Sequence, residues 1–281
     1  MPTLKSIKKR INATKSTKKL TRAMKMIAAA RLRKAQMRAV DVRTFTKEGS
    51  RILAEIARLG AEINHPLFKE RAEKSNTIDL VIFTSDKGMC GTFNENLLRQ
   101  AASFITKENL AGVAVNSYIL GKKGRDYFKR HGLAYIKEFT YATLGEETSS
   151  LIDRYIARST DKVVIAYNKL RGANASEITF KMLIPSTGIK AEGNYGVEYI
   201  YEPGRKEVIN FLVESMIRSG FYQAYLESAA GELAARMISM DKATKNADDL
   251  ITALTTQFNR ARQASITKEL IDIVGGAEAL K

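Results

Sequence analysis

Apolar residues recur at steps of three and four along two long stretches, one near each end of the chain. This spacing places them on one face of an α-helix. Both stretches, residues 3–59 and 205–279, also lack proline, which disrupts helix interiors. The sequence therefore predicts two long amphipathic helices. Their apolar positions include Leu4, Ile7, Ile11, Leu20, Met24, Ile27, Val42, Phe45, Ile52 and Ile56 in the first and Val208, Leu212, Met216, Leu233, Met237, Met240, Leu250, Leu254, Phe258, Ile266, Leu270 and Ile273 in the second.

The two predicted helices are too long to be stable without packing against a partner. At 1.5 Å per residue they would extend about 85 Å and about 110 Å, and most helices in proteins depend on tertiary packing of one face. Because they lie at opposite ends of the chain, we expect them to pair as an antiparallel coiled coil. The apolar seam weakens at residues 14–18 and 244–249, where we expect breaks or kinks.

Between the two long helices, short apolar runs alternate with helical stretches. An alternation of strands and helices is typical of a mostly parallel sheet with helices on its faces. A further run, residues 176–185, follows a turn at Gly172 and predicts an antiparallel edge strand. The other predicted strands are residues 77–84, 113–120, 134–139 and 162–168, and the predicted helices are residues 94–107, 122–130 and 147–159.

The predicted fold class is α/β, with a Rossmann-like α/β domain inserted between the two halves of one antiparallel two-helix coiled coil. We divide the chain into an N-terminal coiled-coil helix (residues 1–65), the Rossmann-like domain (66–203) and a C-terminal coiled-coil helix (204–281). No apolar run approaches the roughly 20 residues that a membrane-spanning helix needs. Cys90 is the only cysteine, so an internal disulfide is excluded.

Positive charge is concentrated at the start of the chain. The formal net charge is +16, and the first 43 residues carry 14 Lys or Arg against one acid, Asp41. A helix this basic needs a negative partner, which is either nucleic acid or an acidic protein surface. The charge pattern does not choose between these two partners.

Neither of two glycine-containing turns carries a nucleotide-binding fingerprint. Residues 85–91 and 121–124 both follow a predicted strand and precede a helix, where phosphates often bind, but they match neither the dinucleotide nor the P-loop pattern. Cys90 has no nearby histidine, and His65 and His131 have no ligand partners at metal-binding spacing. We expect a buried structural thiol, no catalytic residues, no metal and no cofactor.

Four segments resemble the ATP synthase γ family. The C-terminal segment, residues 266–279, is similar to the family's signature, and residues 21–30, 84–91 and 259–265 also look like the family's. The resemblance extends in order over the whole chain. The positions that match the signature are Ile266, Thr267, Glu269, Asp272, Gly276, Ala277 and Ala279.

The resemblance implies a non-catalytic rotor shaft. The coiled coil would penetrate the α3β3 hexamer, with residues 275–281 in an apolar bearing and ATP chemistry in the β subunits. The sheet domain, with the ε subunit, would rest on the c-ring of a proton- or sodium-transporting ATP synthase, peripheral to the cytoplasmic face of a bacterial inner membrane or the matrix side in mitochondria. It implies β-subunit contacts for Met24, Arg236, Arg262, Gln263, Thr267 and Glu269, and c-ring or ε contacts for Tyr199, Tyr201 and Glu202.

Two hypotheses from other classes compete with this one. A basic coiled-coil protein that binds nucleic acid would lose affinity steeply with salt, but it leaves the C-terminal signature unexplained. A nucleotide-binding enzyme would use the central domain, and the missing phosphate fingerprints count against it.

Overall fold

Both long helices predicted from the apolar periodicity are present in the computed structural model, which describes residues 3–58, 65–68, 75–172, 175–186 and 200–278. The intervening elements begin and end within three residues of the predicted ones. In chain order the elements are α1 (Leu4–Arg58), β1 (Thr77–Phe83), α2 (Phe93–Leu110), β2 (Ala114–Leu120), α3 (Lys122–Arg130), β3 (Lys137–Phe139), a 3₁₀ turn (Tyr141–Thr143), α4 (Leu144–Ile156), β4 (Lys162–Arg171), β5 (Ala175–Ile184) and α5 (Arg205–Glu278).

The five strands form one sheet in the order β3-β2-β1-β4-β5. The first four are parallel to their neighbours, and β5 pairs antiparallel with β4 at the edge. This confirms the predicted mostly parallel sheet with an antiparallel edge strand. The crossover from β3 to β4 carries the chain past β1, so both faces of the sheet receive helices, as in Rossmann-like domains.

Alternate residues of β1 belong to two different cores. Ile78, Leu80 and Ile82 pack with side chains of α2 and α3, whereas Val81 and Phe83 pack with side chains of α4 and α5. Successive side chains of a strand point to opposite faces, so both faces of the central strand are covered by helices. This explains why the predicted strand reads as a continuous apolar run.

Contacts divide the chain into two compact units. The smaller unit contains residues 1–29 and 236–281, and the larger contains residues 30–235. Both α1 and α5 therefore have residues in each unit. The boundaries at residues 65/66 and 203/204 remain predictions from the sequence.

Within the larger unit, α1 and α5 pack closely at a glycine. A Cβ added to Gly49 of α1 would overlap the sulfur of Met216 on α5. A glycine in a helix interior costs about 1 kcal/mol relative to alanine. A larger residue at position 49 would require the Met216 side chain to shift.

The breaks expected at residues 14–18 and 244–249 do not occur, because both helices continue through these segments. The expectation assumed that a polar stretch in the seam could not stay packed. The structure instead pairs the polar side chains across the seam, as described below.

Candidate functional site

Polar pairs connect α1 and α5 in the smaller unit, and three of them lie side by side in the described residues. Lys18 Nζ lies 2.5 Å from Asp248 Oδ1, and Lys25 Nζ lies 2.6 Å from Asp241 Oδ1. Between them the hydroxyls of Thr21 and Thr244 are 2.8 Å apart. Steps of three and four along α1 are matched by steps of four and three back along α5. We call these three pairs the polar ladder.

Apolar side chains occupy the rest of this seam. Lys18, Thr244 and Asp248 of the ladder lie in the two stretches where the apolar seam weakens, and Thr21 is only 8% exposed. The side chains of the two ion pairs are 33–60% exposed. Ion pairs at such exposure contribute about 0–1 kcal/mol each, so the ladder contributes more to alignment than to stability. The buried apolar side chains of this unit are Ile7, Ala28, Met240, Ala247 and Leu254.

Asp241 is the most strongly paired acid of the ladder. Hydrogen bonds from Lys25 and then Lys245 hold the pKa of Asp241 below its ordinary value. The carboxylate therefore stays ionised at neutral pH. Its two lysines come from different helices, so Asp241 neutralises charge on both.

The basic start of α1 leaves much of its charge on the surface. Lys5, Lys8, Lys9, Arg10 and Lys15 are all exposed. Ladder pairing involves only Lys18 and Lys25 of this helix. The exposed charges form a basic surface that an acidic partner could neutralise.

Four of the six predicted β-subunit contact residues are exposed near the end of α5. They are Arg262, Gln263, Thr267 and Glu269, which lie within two helical turns. Thr267 Oγ1 donates to the Gln263 carbonyl at 3.0 Å, and Glu269 Oε1 accepts from Ser265 Oγ at 3.4 Å. The other two, Met24 on α1 and Arg236 on α5, are half-buried.

Large apolar side chains surround this exposed polar group. Ile266, Leu270, Ile271, Ile273 and Val274 are each at least half exposed on α5. Exposed apolar patches of this kind mark interaction surfaces. Of the predicted bearing at residues 275–281, only the backbone of 275–278 falls within the described residues.

The predicted c-ring or ε contacts precede α5. Tyr201 is half-buried, and the Arg205 guanidinium carbon lies 5.6 Å from its ring centre, within cation–π range. Glu202 is exposed. Tyr199 lies outside the described residues.

The amide groups that could bind phosphate at the start of α3 are already bonded. Asp86 Oδ1 accepts from the Lys122 amide at 3.1 Å, and Thr84 Oγ1 accepts from the Gly124 amide at 2.9 Å. Phosphate sites at helix N-termini depend on such amides pointing at the ligand. Here the chain's own oxygens take the position of the phosphate.

The cavity at this edge of the sheet is also unsuited to a nucleotide. Its volume is about 110 Å³, whereas ligand pockets commonly measure about 300–1,000 Å³. Asp86 and Glu232 line it together with Tyr141 and Tyr225, and carboxylates repel phosphate. The geometry gives no support to the hypothesis of a nucleotide-binding enzyme.

The thiol and the two imidazoles have local structural roles. Cys90 is 2% exposed, and its sulfur accepts from Asn94 Nδ2 at 3.2 Å. His65 Nδ1 accepts from the Leu67 amide, and burial lowers the pKa of His65 against the opposing effect of Glu214. His131 stacks on Tyr127. Across the described residues, no group of three His, Cys, Asp or Glu side chains could hold a metal ion.

The sequence reasoning missed the buried charges of the larger unit. Asp79 on β1 is 0% exposed and accepts from Arg154 Nε at 2.8 Å and Nη2 at 3.2 Å. Glu227 on α5 is 3% exposed and accepts from Arg43. Each acid and its partner are far apart in sequence. The only sequence signal for such a pair is an acidic residue within an apolar run.

Comparisons with known proteins agree on one family. The family described as ATP synthase matches residues 3–280. The ATP synthase γ chain of Halothermothrix orenii is 39% identical over all of both chains, and that of Symbiobacterium thermophilum is 38% identical over 99% of this chain and 98% of its own.

Solved structures share the fold at lower identity. A chain of the Euglena gracilis mitochondrial ATP synthase, solved with OSCP, F1 and c-ring, aligns with a TM-score of 0.67 at 16% identity over 99% of this chain and 94% of its own. A chain of the Tetrahymena thermophila mitochondrial ATP synthase central stalk and c-ring aligns with a TM-score of 0.60 at 22% identity, covering 80% of this chain and 99% of its own.

Fold and site define a class of protein in which a Rossmann-like domain is inserted between the two helices of an antiparallel pair. Within that class, the chain belongs to the ATP synthase γ chain family. The nucleic-acid hypothesis has no support from these relatives. No helix in the described ranges is long and apolar enough to cross a membrane.

Proposed function

We propose that this chain is the central rotor shaft of an F-type ATP synthase, carrying torque between the membrane c-ring and the catalytic α3β3 hexamer. The observation that carries this proposal is the full-length match to γ chains at 39% identity. The exposed residues at the end of α5 and the basic surface of α1 provide the contacts that a shaft in an acidic protein sleeve requires.

Coupling follows from a lack of symmetry. A single helix pair has no threefold symmetry, so it contacts the β subunits differently at any one angle. Each β subunit then holds a different affinity for nucleotide, and rotation passes these states around the ring. This is a coupling free energy between distant sites carried by one rigid element.

Individual residues have distinct tasks in this proposal. Arg262 and Gln263 would bond an acidic loop of a β subunit, with Thr267 and Glu269 one turn further along α5. Charge-assisted bonds of this kind are strongest when the geometry is bidentate. Met24 and Arg236 would complete the contact, and Ile266 and Leu270 would supply its apolar part.

The other end of the shaft would contact the rotor ring. Tyr201 and Glu202, together with Tyr199, are proposed to face the c-ring and the ε subunit. Catalysis would reside in the β subunits, and this chain would contribute no reacting group. The complex would hold the chain peripherally on the cytoplasmic face of a bacterial inner membrane, or on the matrix side in mitochondria. The boundaries of the proposed coiled-coil and Rossmann-like parts are residues 1–65, 66–203 and 204–281.

Assembly is the test of this function. The purified chain is mixed with α and β subunits from its own organism, and complex mass and ATPase rate are followed together. We expect one copy of the chain per hexamer and a cooperative ATPase that the chain alone lacks. A chain that stays free at physiological salt, while all partners are folded, contradicts the proposal.

A further inference from the structure

One buried carboxylate joins the long helices to the sheet, and the proposed function assigns it no task. Glu227 lies on α5 within the larger unit and is 3% exposed. Removing a carboxylate from water costs several kcal/mol unless it is paired and hydrogen-bonded. An apolar side chain at this position would avoid that cost, so the carboxylate needs an explanation beyond stability.

Three elements of the larger unit meet at this carboxylate. Arg43 of α1 donates to Oε1 from Nη2 at 3.0 Å, and Gln223 of α5 donates to the same oxygen at 3.0 Å. Tyr167 of β4 donates its hydroxyl to Oε2 at 3.1 Å. We call Glu227, Arg43, Gln223 and Tyr167 the carboxylate joint. It connects both long helices to the second strand from the sheet edge.

The protonation states keep these bonds in place at neutral pH. Burial tends to raise the pKa of Glu227, but the bonds from Gln223, Arg43 and Tyr167 outweigh it and lower that pKa, so the carboxylate stays ionised. Burial, followed by the charge of Glu227, raises the pKa of Tyr167, so its hydroxyl stays a donor. Burial lowers the pKa of Lys181 on β5, and the charge of Glu227 opposes that shift.

The hydrogen bonds of the carboxylate joint restrain rolling of the helices against the sheet more specifically than apolar packing does. Around the joint, Val213, Ile217 and Phe221 of α5 pack against the sheet through apolar contacts. A further hydrogen bond between α5 and the sheet is long, from Ser228 Oγ to the Phe83 carbonyl at 3.5 Å. Apolar contacts have no preferred direction, so they restrain a roll of the helix through shape alone. Hydrogen bonds to a fixed carboxylate have defined distances and angles, and rolling either helix breaks them.

We propose that Glu227 is a positioning residue that locks α1 and α5 against the sheet, so that torque reaching one passes to the other without slip. This inference rests on the proposed shaft function and specifies where in the chain the torque crosses between elements. The predicted cost of losing the lock is a more compliant rotor, with the fold retained.

Angular fluctuation in single complexes tests the lock. The β subunits are fixed to a surface, and a bead is attached to a cysteine introduced by Leu110→Cys at the end of α2, which is 84% exposed. Cys90, at 2% exposure, stays unlabelled. The width of the bead's angular distribution during pauses in ATP-driven rotation then reports the torsional stiffness between the sheet and the hexamer.

Glu227→Gln keeps the shape of the side chain and removes its charge. Charge-assisted hydrogen bonds are about twice as strong as neutral ones, so we expect the share of the angular variance that arises at the joint to rise about twofold. The matched control is Glu177→Gln, the same substitution in an exposed ion pair with Arg171 of the β4–β5 hairpin, and it should match the unmodified rotor. Unchanged variance in Glu227→Gln overturns the lock.

Two further outcomes separate this inference from the shaft function. If Glu227→Gln does not assemble, Tyr167→Phe removes a single bond of the joint and is measured in the same way. A smaller rise in variance supports the lock, and no rise overturns it. If the unmodified chain assembles but its bead never rotates, the shaft function itself is wrong and the lock fails with it.

Discussion

At the scale of single residues, the larger unit has several carboxylates almost out of contact with water. Each of those in the described residues has a basic partner. Burial of an unpaired charge is far more costly than burial of a bonded pair, so each acid depends on its basic partner to remain buried. The pairs are Glu55 with Arg51, Asp79 with Arg154, Glu147 with Lys137, and Glu227 with Arg43.

Asp79→Asn tests the most buried of these pairs. Asp79 accepts two bonds from Arg154 and a third from Asn116 Nδ2 at 2.9 Å. Asparagine loses the charge and one acceptor oxygen, so we expect the free energy of unfolding to fall by about 2 kcal/mol. Urea denaturation of the full chain measures this, and Glu177→Gln is the control. A midpoint shift no larger than the control's contradicts it.

The sequence predicts the helix or strand that contains each of these acids, but it does not identify the basic residue that pairs with it. The sequence predicts Asp79 within the first strand, but its partner Arg154 is 75 positions away. Arg43 and Glu227 are separated by 184 positions. Periodicity reports which face of an element is buried and contains no information on which distant side chain meets it. The predicted contact residues on α5 came from the family resemblance, not from the pattern.

At the scale of elements, the two long helices were predictable and their alignment was not. Proline-free stretches with apolar steps of three and four gave the bounds of α1 and α5 to within one residue. Small side chains such as Ala28 and Ala247 line the seam, and they pack almost equally well if one helix shifts by a turn. The polar ladder favours one alignment, because a shifted helix would leave its lysines and aspartates unpaired.

Cysteine cross-linking reads this alignment directly. Thr21 and Thr244 face each other across the seam, so Thr21→Cys with Thr244→Cys should form a disulfide almost completely under mild oxidation. Thr21→Cys with Asp248→Cys, one turn away on α5, should form little, since disulfides require Cβ atoms within about 4.5 Å. Gel mobility separates the products. Equal cross-linking of both pairs would show that the alignment is not fixed.

At the scale of the whole molecule, charge and exposed apolar surface point to a partner that encloses the helices. The net charge of +16 is concentrated on α1, and the end of α5 exposes Ile266 and Leu270. A chain with both features would be stabilised by a surrounding protein surface that is acidic in part and apolar in part. This agrees with the proposed position of the shaft inside the hexamer.

Arg262→Ala and Gln263→Ala test that contact in the assembled complex. Both side chains are exposed, and the backbone carbonyl that accepts from Thr267 is retained in Gln263→Ala. We therefore expect coupled ATPase activity to fall about tenfold, as for the loss of about 1.4 kcal/mol, with the unfolding midpoint of the chain unchanged. The control is Arg260→Ala, another exposed arginine of α5. Unchanged coupling and unchanged complex stability in both variants would rule out this assignment.

The pairing of α1 with α5 also imposes an order on biosynthesis. A ribosome makes α1 before any strand and α5 after all of them. About 150 residues separate the two helices, which takes roughly 7–30 s at about 5–20 residues per second. Through that interval the nascent α1 lacks its α5 partner, and by the end of it the sheet strands have been made. The sheet can therefore fold first, and the last-made helix closes the molecule.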